Sequence, residues 1–545
     1  MVIEHFTAIG LGHNCGCFHG LLLPVVQKKR VGDGARKLKA CHLGSREQVA
    51  NGPLPTILST AKSQILVRAE TASKALSHGS LCPVRLRMLP DVSLEDRYTI
   101  GPALGEGASG FVKLITEKSG KASRVLKTLE LPNAAEREAT DEILNEMDVY
   151  LRLDHPNICR LLEVCVEDDR CHLVMEHCFG NELFERWAAA GRYTEAQTLA
   201  AVSQMFHAVS YLHAHDICHR DLKLENWVYA TAEPTSSLKL IDFGFSRVMH
   251  DDTPMTEVLG TVYYIAPEVL QASYDRKCDI WSMGVLVYML LVGYPPIGTF
   301  EDANSVVMHK ILRGDPVTMD REWQEISENG QAFVLQLLRR DPQRRPDASR
   351  ASEHRWIRQG GHTTLELCGE ARNEVLDSMH SFASANLVKR VACCFMAYAL
   401  SVDETQELEQ QFKAFDRGNT GNIGLQDFVS AFTEHRNMCE EKAKDVFRKL
   451  DLTGKYRINY SEFLAAACQS RFVASEDNIK AAFRRFDHDN TGFISLANFR
   501  AVFGDEFKGA KVEDIFAQAD INRDGLIEYD EFAHALLDFG RAISN

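Results

Sequence analysis

Two groups of residues in this 545-residue chain have the types and spacing that chemistry requires. The first begins with Gly105, Gly107 and Gly110 in Gly105-Glu106-Gly107-Ala108-Ser109-Gly110-Phe111-Val112, where missing Cβ atoms let backbone N–H groups approach a phosphate. Lys127 follows seventeen residues after Gly110, and Glu146 lies on a helical stretch beyond it. A buried lysine needs a carboxylate partner, which Glu146 supplies while the ammonium meets phosphates; Glu142, one helical turn earlier, is the rival. The second group is a repeat. Asp416, Asp451, Asp487 and Asp520 each open a twelve-residue polar loop between Phe-containing helical segments, at spacings of 35, 36 and 33 residues.

The elements that position these groups follow from the hydrophobic pattern. Phe111 to Ile115 and Arg124 to Lys127 are β-branched runs bounded by turns and predict strands. After about Glu182 the period lengthens, as in Thr198 to Phe206, and predicts helices up to Trp356. The glycine-rich loop leads into a strand rather than a helix, which excludes a Rossmann reading. Glu374 to Leu400 predicts one long helix, with apolar positions at Val375, Leu376, Met379, Phe382, Leu387, Val391, Phe395 and Tyr398.

Composition narrows the class. At 45% hydrophobic and 25% charged the chain has cores to bury. The apolar run at Gly284 to Val292 falls short of the ~20 residues a membrane span needs and predicts a buried helix in a soluble protein. Fifteen cysteines without a paired framework point to a reducing, cytoplasmic setting. The net charge of −15 divides into +7 for residues 1–93, −14 for 94–402 and −8 for 403–545. Acidic bodies argue against nucleic acid and for metal ions or basic peptides. The basic arm, residues 1–93, lacks periodicity and predicts disorder or targeting; Val2 excludes myristoylation, and Cys15 and Cys17 are acceptors for palmitate, so membrane contact has little support.

His219-Arg220-Asp221-Leu222-Lys223-Leu224-Glu225-Asn226, Asp242-Phe243-Gly244 and Ala266-Pro267-Glu268 complete a set that resembles the eukaryotic protein kinases over residues 98–357. The resemblance implies ATP and Mg²⁺ as cofactors. By position, Asp221 orients the substrate hydroxyl, Lys223 contacts the transferring phosphate as in the serine/threonine subclass, and Asn226 and Asp242 hold Mg²⁺. Leu104, Val112, Val125 and Val228 correspond to an adenine slot, Met175 to its gatekeeper, and Glu176 to Cys178 to a hinge offering backbone hydrogen bonds. Glu182 and Glu225 match positions that bind Arg or Lys upstream of the phosphorylated residue, so basic protein substrates are expected. Thr253 and Thr256 lie in an activation segment already acidic at Asp251, Asp252 and Glu257, whose carboxylates are expected to pair with Arg220 without phosphorylation.

The four loops resemble EF-hands, with ligands from loop positions 1, 3, 5, 7, 9 and 12. The fourth is complete, with Asp520, Asn522, Asp524, the Leu526 carbonyl, Glu528 and Glu531 as Ca²⁺ ligands. The third, with Asp487, Asp489, Thr491, Phe493 and Ser495, ends on the neutral Asn498 and is expected to be weaker. The first has Gly418 and Asp427 at ligand positions, and the second has Lys455 at a ligand position and Tyr456 where the loop wants positive φ. Kinase domain, junction (residues 372–401) and hands (residues 403–545) together resemble the calcium-dependent protein kinases of plants and apicomplexan-type protists. The implied fold is α+β, a bilobal kinase followed by an all-α calmodulin-like domain. The resemblance implies a contact between the two within the chain and an autoinhibitory junction that Ca²⁺ releases, with Lys389 and Arg390 mimicking a basic substrate against Glu182 and Glu225. A Ca²⁺-responsive scaffold with an idle kinase fold, and a kinase largely independent of Ca²⁺, are the alternatives.

Overall fold

The computed structural model describes residues 88–89, 94–107, 110–118, 122–130, 137–167, 170–249, 253–314, 316–361, 369–418, 420–436, 438–473 and 475–537. The expected disorder, targeting and lipidation features of the basic arm, and Asp251 and Asp252, lie outside these residues.

The expected strands form one six-stranded sheet. Strands β1 (Met88–Leu89), β2 (Tyr98–Gly107), β3 (Gly110–Glu117), β4 (Ser123–Glu130), β5 (Leu161–Glu167) and β6 (Arg170–Glu176) are ordered β1-β5-β6-β4-β3-β2. Only β1 pairs in parallel. On β4 the two-residue period places Val125 and Lys127 on one face and Arg124, Leu126 and Thr128 on the other. Register sets Val112 beside Lys127 and Val125 beside Met175. Helix α1 (Arg137–Arg152) packs against this sheet and carries Glu146.

A helical lobe follows, around α2 (Glu195–Ala214) and α3 (Lys277–Val292). Every α3 residue after the first is buried, as the apolar run predicted, and no helix among the described residues is long and apolar enough to cross a membrane. Gly284 lets α3 approach its neighbour: a Cβ there would stand 2.9 Å from Leu337 Cβ and 2.8 Å from Leu338 Cδ2.

The junction differs from the single helix expected. It is two helices, α4 (Gly369–Ser384) and α5 (Leu387–Ala399), broken at Ala385 and Asn386. Asn386 is extended and its side chain accepts a hydrogen bond from Lys389 N at 2.8 Å, so a residue poor in helix interiors caps a new helix instead. Asn386 Nδ2 also donates to Ala535 O at 2.9 Å. Both helices contribute to one core with the hands through Val375, Leu376, Met379, Phe382, Val391, Phe395 and Tyr398, with Leu387 at its margin. Lys389 and Arg390 lie on this side as well, where Arg390 donates to Lys449 O at 2.6 Å. They therefore do not face Glu182 and Glu225, because α5 buries its basic turn among the hands.

Short ladders pair the loops, Ile423 with Ile458 and Ile494 with Ile527. Polar contacts join the hands and α5 to the kinase lobes: Ser461 Oγ donates to Asp154 at 2.9 Å, Arg485 pairs with Glu163 at 2.5 Å, and Arg124 Nη2 donates to Ala399 O at 2.5 Å. Gly421, at the turn of the first loop, has no room for a Cβ because His155 and Tyr211 press against it.

Phe486 is fully buried, its ring against those of Phe395, Phe499, Phe503 and Phe532. Phe486→Ala is expected to cost ~3–5 kcal/mol of stability, read by thermal unfolding as an earlier transition of the hands.

Candidate functional site

Lys127 points from β4 into the cleft and meets two carboxylates. Its Nζ is 2.5 Å from Glu146 Oε1 and 2.8 Å from Asp242 Oδ1. Glu146, the first of the two partners weighed, is thus engaged, while the side chain of Glu142 lies outside the described residues. Burial alone would lower the Lys127 pKa, but the two carboxylates outweigh it and hold the group well above its ordinary range. Lys127 in turn pulls Asp242 down to about 2, so that carboxylate is ionised. Its side chain remains 44% exposed to the cleft, which suits an acidic oxygen for a divalent cation.

The catalytic-loop residues are held by backbone geometry that costs energy. Arg220 and Asp242 are non-glycine residues at φ of 68° and 63°. Asp279 holds the first by accepting from His219 N and Arg220 N, each at 2.9 Å, and the Tyr150 hydroxyl accepts from Asp242 N at 3.0 Å. Asp221 receives Lys223 Nζ and Thr261 Oγ1, each at 2.7 Å. Asn226 Nδ2 donates to Asp221 O at 2.8 Å, tying the two residues together. Thr261, Tyr150 and Asp279 were not singled out from sequence, since a hydroxyl or carboxylate distant in the chain carries no spacing signal.

The remaining expected positions frame the cleft. Gly105, Gly107 and Gly110 sit on the β2–β3 hairpin, where Gly110 has φ of 152° and Thr128 O blocks a Cβ. Leu104 is exposed, Val112, Val125 and Val228 are half-buried, and Met175 is buried at the end of β6 beside Glu176. Cys178 is half-buried, and Glu182 bridges to Val228. Burial, with Glu185 and Glu225 adding repulsion, pushes Glu182 up to about 7, and burial also raises Glu225. Arg220 meets Glu257 at 3.3 Å, the pairing expected of that carboxylate, and Arg247 also reaches Glu257 at 3.2 Å.

The four loops close in different ways. In the fourth, Glu531 accepts from Ile521 N, Asn522 N and Glu528 N, and Asp524 accepts from Leu526 N. Asp520 accepts from Gly525 N, but its Oδ1 is buried with no hydrogen-bond partner, an orphan oxygen that a cation would satisfy. In the third, Asp487 accepts from Thr491 N and Gly492 N at 2.9 Å, Thr491 Oγ1 donates to Phe493 O at 3.0 Å, and Asp489 lies 3.4 Å from the same hydroxyl. There Asn498 turns its oxygen to Ser495 N and its nitrogen to His488. The second is satisfied internally: Asp451 accepts from Lys455 N and Tyr456 N, Glu462 from Thr453 N and Asn459 N, and Lys508 donates to Asp451 O. Tyr456 takes the expected positive φ, 55°. Burial raises Glu462 to about 8, so it is mostly neutral near pH 7. In the first, burial raises Asp416 to about 6.

Residues 98–357 match the protein kinase domain family, and residues 405–468 and 476–537 match the EF-hand domain pair. Among curated proteins, calcium-dependent protein kinase 9 of Oryza sativa is 33% identical over 81% of this chain and 77% of its own length. Calcium-dependent protein kinase 13 of Arabidopsis thaliana is 32% identical over 83% and 86%, and calcium-dependent protein kinase 5 of Plasmodium falciparum 31% over 82% and 78%.

Glu146→Gln is expected to leave Lys127 drawn to Asp242 alone and to raise the KM for ATP by ~10-fold or more, the loss of one charge-assisted hydrogen bond. Steady-state kinetics against ATP concentration reads it.

Proposed function

This chain belongs to the calcium-dependent protein kinase family, and from that premise we propose that it phosphorylates Ser or Thr in basic sequence contexts under control of its fourth EF-hand loop. The observation that carries the proposal is the double ion pair of Lys127, which joins Glu146 to Asp242 and leaves an assembled cleft.

Each residue then has a task. Lys127 holds the α- and β-phosphates of ATP, and Leu104, Val112, Val125 and Val228 enclose adenine beneath Met175, with the hinge at Glu176 to Cys178. Asn226 and Asp242 would hold Mg²⁺, which would supply positive charge to neutralise the phosphates. Asp221, aimed by Thr261 and Lys223, accepts the substrate hydroxyl proton as that oxygen bonds to the γ-phosphorus and the bond to the β-phosphate oxygen breaks. Lys223 follows the transferring oxygens. Glu182 and Glu225 take the guanidinium of an upstream Arg.

Regulation lies in the junction. The uptake of α4 and α5 by the hands, with Lys389 and Arg390 buried there, supports reading this arrangement as the released one. Asp520, Asn522, Asp524, the Leu526 carbonyl, Glu528 and Glu531 would hold the Ca²⁺ that would favour this arrangement. In its absence α4 and α5 leave the hands and the junction restrains the kinase. The self-satisfied second loop and the diverted Asn498 of the third support a single principal site.

Phosphate transfer from ATP to an Arg-containing peptide, with and without Ca²⁺, tests this reading. Asp221→Ala is expected to lower turnover ~10²–10⁴-fold. Glu531→Gln is expected to abolish the Ca²⁺ response, which in the unmodified chain should show a Hill coefficient of about one. A full response in Glu531→Gln would place the sensor elsewhere.

Glu182 adds a pH signature. Its carboxyl is neutral below about 7 and charged above, so an Arg-containing peptide binds better as pH rises. The peptide KM should fall between about pH 6 and 8, and Glu182→Gln should flatten that change.

A further inference from the structure

We infer that Glu409, on the first EF-hand helix, is a positioning residue for the nucleotide site, acting through Lys239 on the hinge residue Glu176 and on the strand that leads into Asp242. The inference goes beyond calcium control and rests on the kinase reading above.

Lys239 lies in the strand Leu238–Leu240, three residues before Asp242, with its side chain fully buried. Its Nζ is 3.2 Å from Glu409 Oε2 and 3.8 Å from Glu176 Oε1, and it donates to Pro156 O at 2.6 Å. Glu176 is already committed, accepting from Arg160 N and Arg160 Nε, each at 2.9 Å. The kinase half of this buried cluster thus holds two cations, Lys239 and Arg160, against one carboxylate. Glu409 supplies the second negative charge, and Lys413 steadies its other oxygen at 2.9 Å. Lys239 and Lys413 hold Glu409 down at about 2 although burial opposes them, so the carboxylate is charged.

The cluster is wired to the cleft by backbone. Glu176 N donates to Arg160 O at 3.1 Å, Cys159 N to Leu240 O at 2.9 Å, and Ile241 N to Asn226 O at 2.9 Å. An ammonium deprived of Glu409 keeps the Pro156 carbonyl but has only Glu176 left of its two carboxylates, so it competes with Arg160 for that group and moves both the hinge and the approach to Asp242. Coupling is reciprocal, so nucleotide must tighten Ca²⁺ binding by the factor with which Ca²⁺ tightens nucleotide.

The test uses the full chain at saturating Ca²⁺. Glu409→Gln is expected to raise the KM for ATP at least ~5-fold while kcat stays within ~2-fold, and Lys239→Met combined with Glu409→Leu, which removes both charges, is expected to restore the KM. Calorimetric Ca²⁺ titration with and without a non-hydrolysable ATP analogue should show tightening in the unmodified chain and none in Glu409→Gln. An unchanged KM, a KM that the double substitution fails to restore, or a fall in kcat of the same size would overturn the inference. An unmodified enzyme indifferent to Ca²⁺ would instead overturn the regulatory reading, and the KM comparison would still stand.

Discussion

A charge taken out of water requires compensation, and for a buried ammonium a carboxylate within a few ångströms supplies the largest part of it. Two lysines impose that requirement on this chain from opposite sides of one strand-and-loop segment. Lys127 meets Glu146 and Asp242 in the cleft, and Lys239 meets Glu176 and Glu409 behind it. Asp242 follows Lys239 by three residues, so the segment that presents it is fixed by a charge at each end. The back-side charge comes from the hands, which makes the EF-hand region part of the electrostatic balance of the cleft.

The junction obeys the same accounting. The last turn of α5 leaves carbonyls that no further helical N–H can satisfy. Arg160 donates to Ala397 O and Leu400 O at 3.2 and 2.8 Å, and Arg124 donates to Ala399 O. Both arginines flank Glu176, Arg124 through the β4–β6 register and Arg160 through its side chain. A helix end, a hinge strand and an EF-hand helix therefore share one set of donors and acceptors, and undocking would leave many of these groups needing water.

Much of the catalytic cleft was legible because its residues come in short fixed spacings: the glycine loop, Lys127, Asp221 with Asn226, and Asp242. The strands at Phe111 to Ile115 and Arg124 to Lys127 carried their own two-residue period. The helix break at Asn386 was not, since apolar positions recur across it and helical period alone does not register a side chain that caps. Lys389 and Arg390 look like a substrate mimic in sequence because two adjacent cations advertise exposure, yet α5 buries them and burial lowers Lys389 to about 8. Lys239–Glu409 and Lys508–Asp451 were beyond reach for another reason: their partners stand 170 and 57 residues apart with no periodic relation.

The self-satisfied second loop and the buried charges bear on one energetic problem of the proposed switch. Moving a two-state equilibrium from 1:99 to 99:1 takes ~5.5 kcal/mol of differential binding, a large demand on the single principal site proposed above. Purely apolar contacts between hands and kinase would favour the docked state with no opposing desolvation of charge. Ion pairs behave otherwise, because desolvation of Lys239, Arg160, Glu176 and Glu409 offsets most of their mutual attraction. Such an interface is specific without being strongly stabilising, since any misfit leaves a charge unpaired. Under the proposed single-site control, hands docked on the kinase and hands released from it can then lie close enough in free energy for one cation to shift the balance.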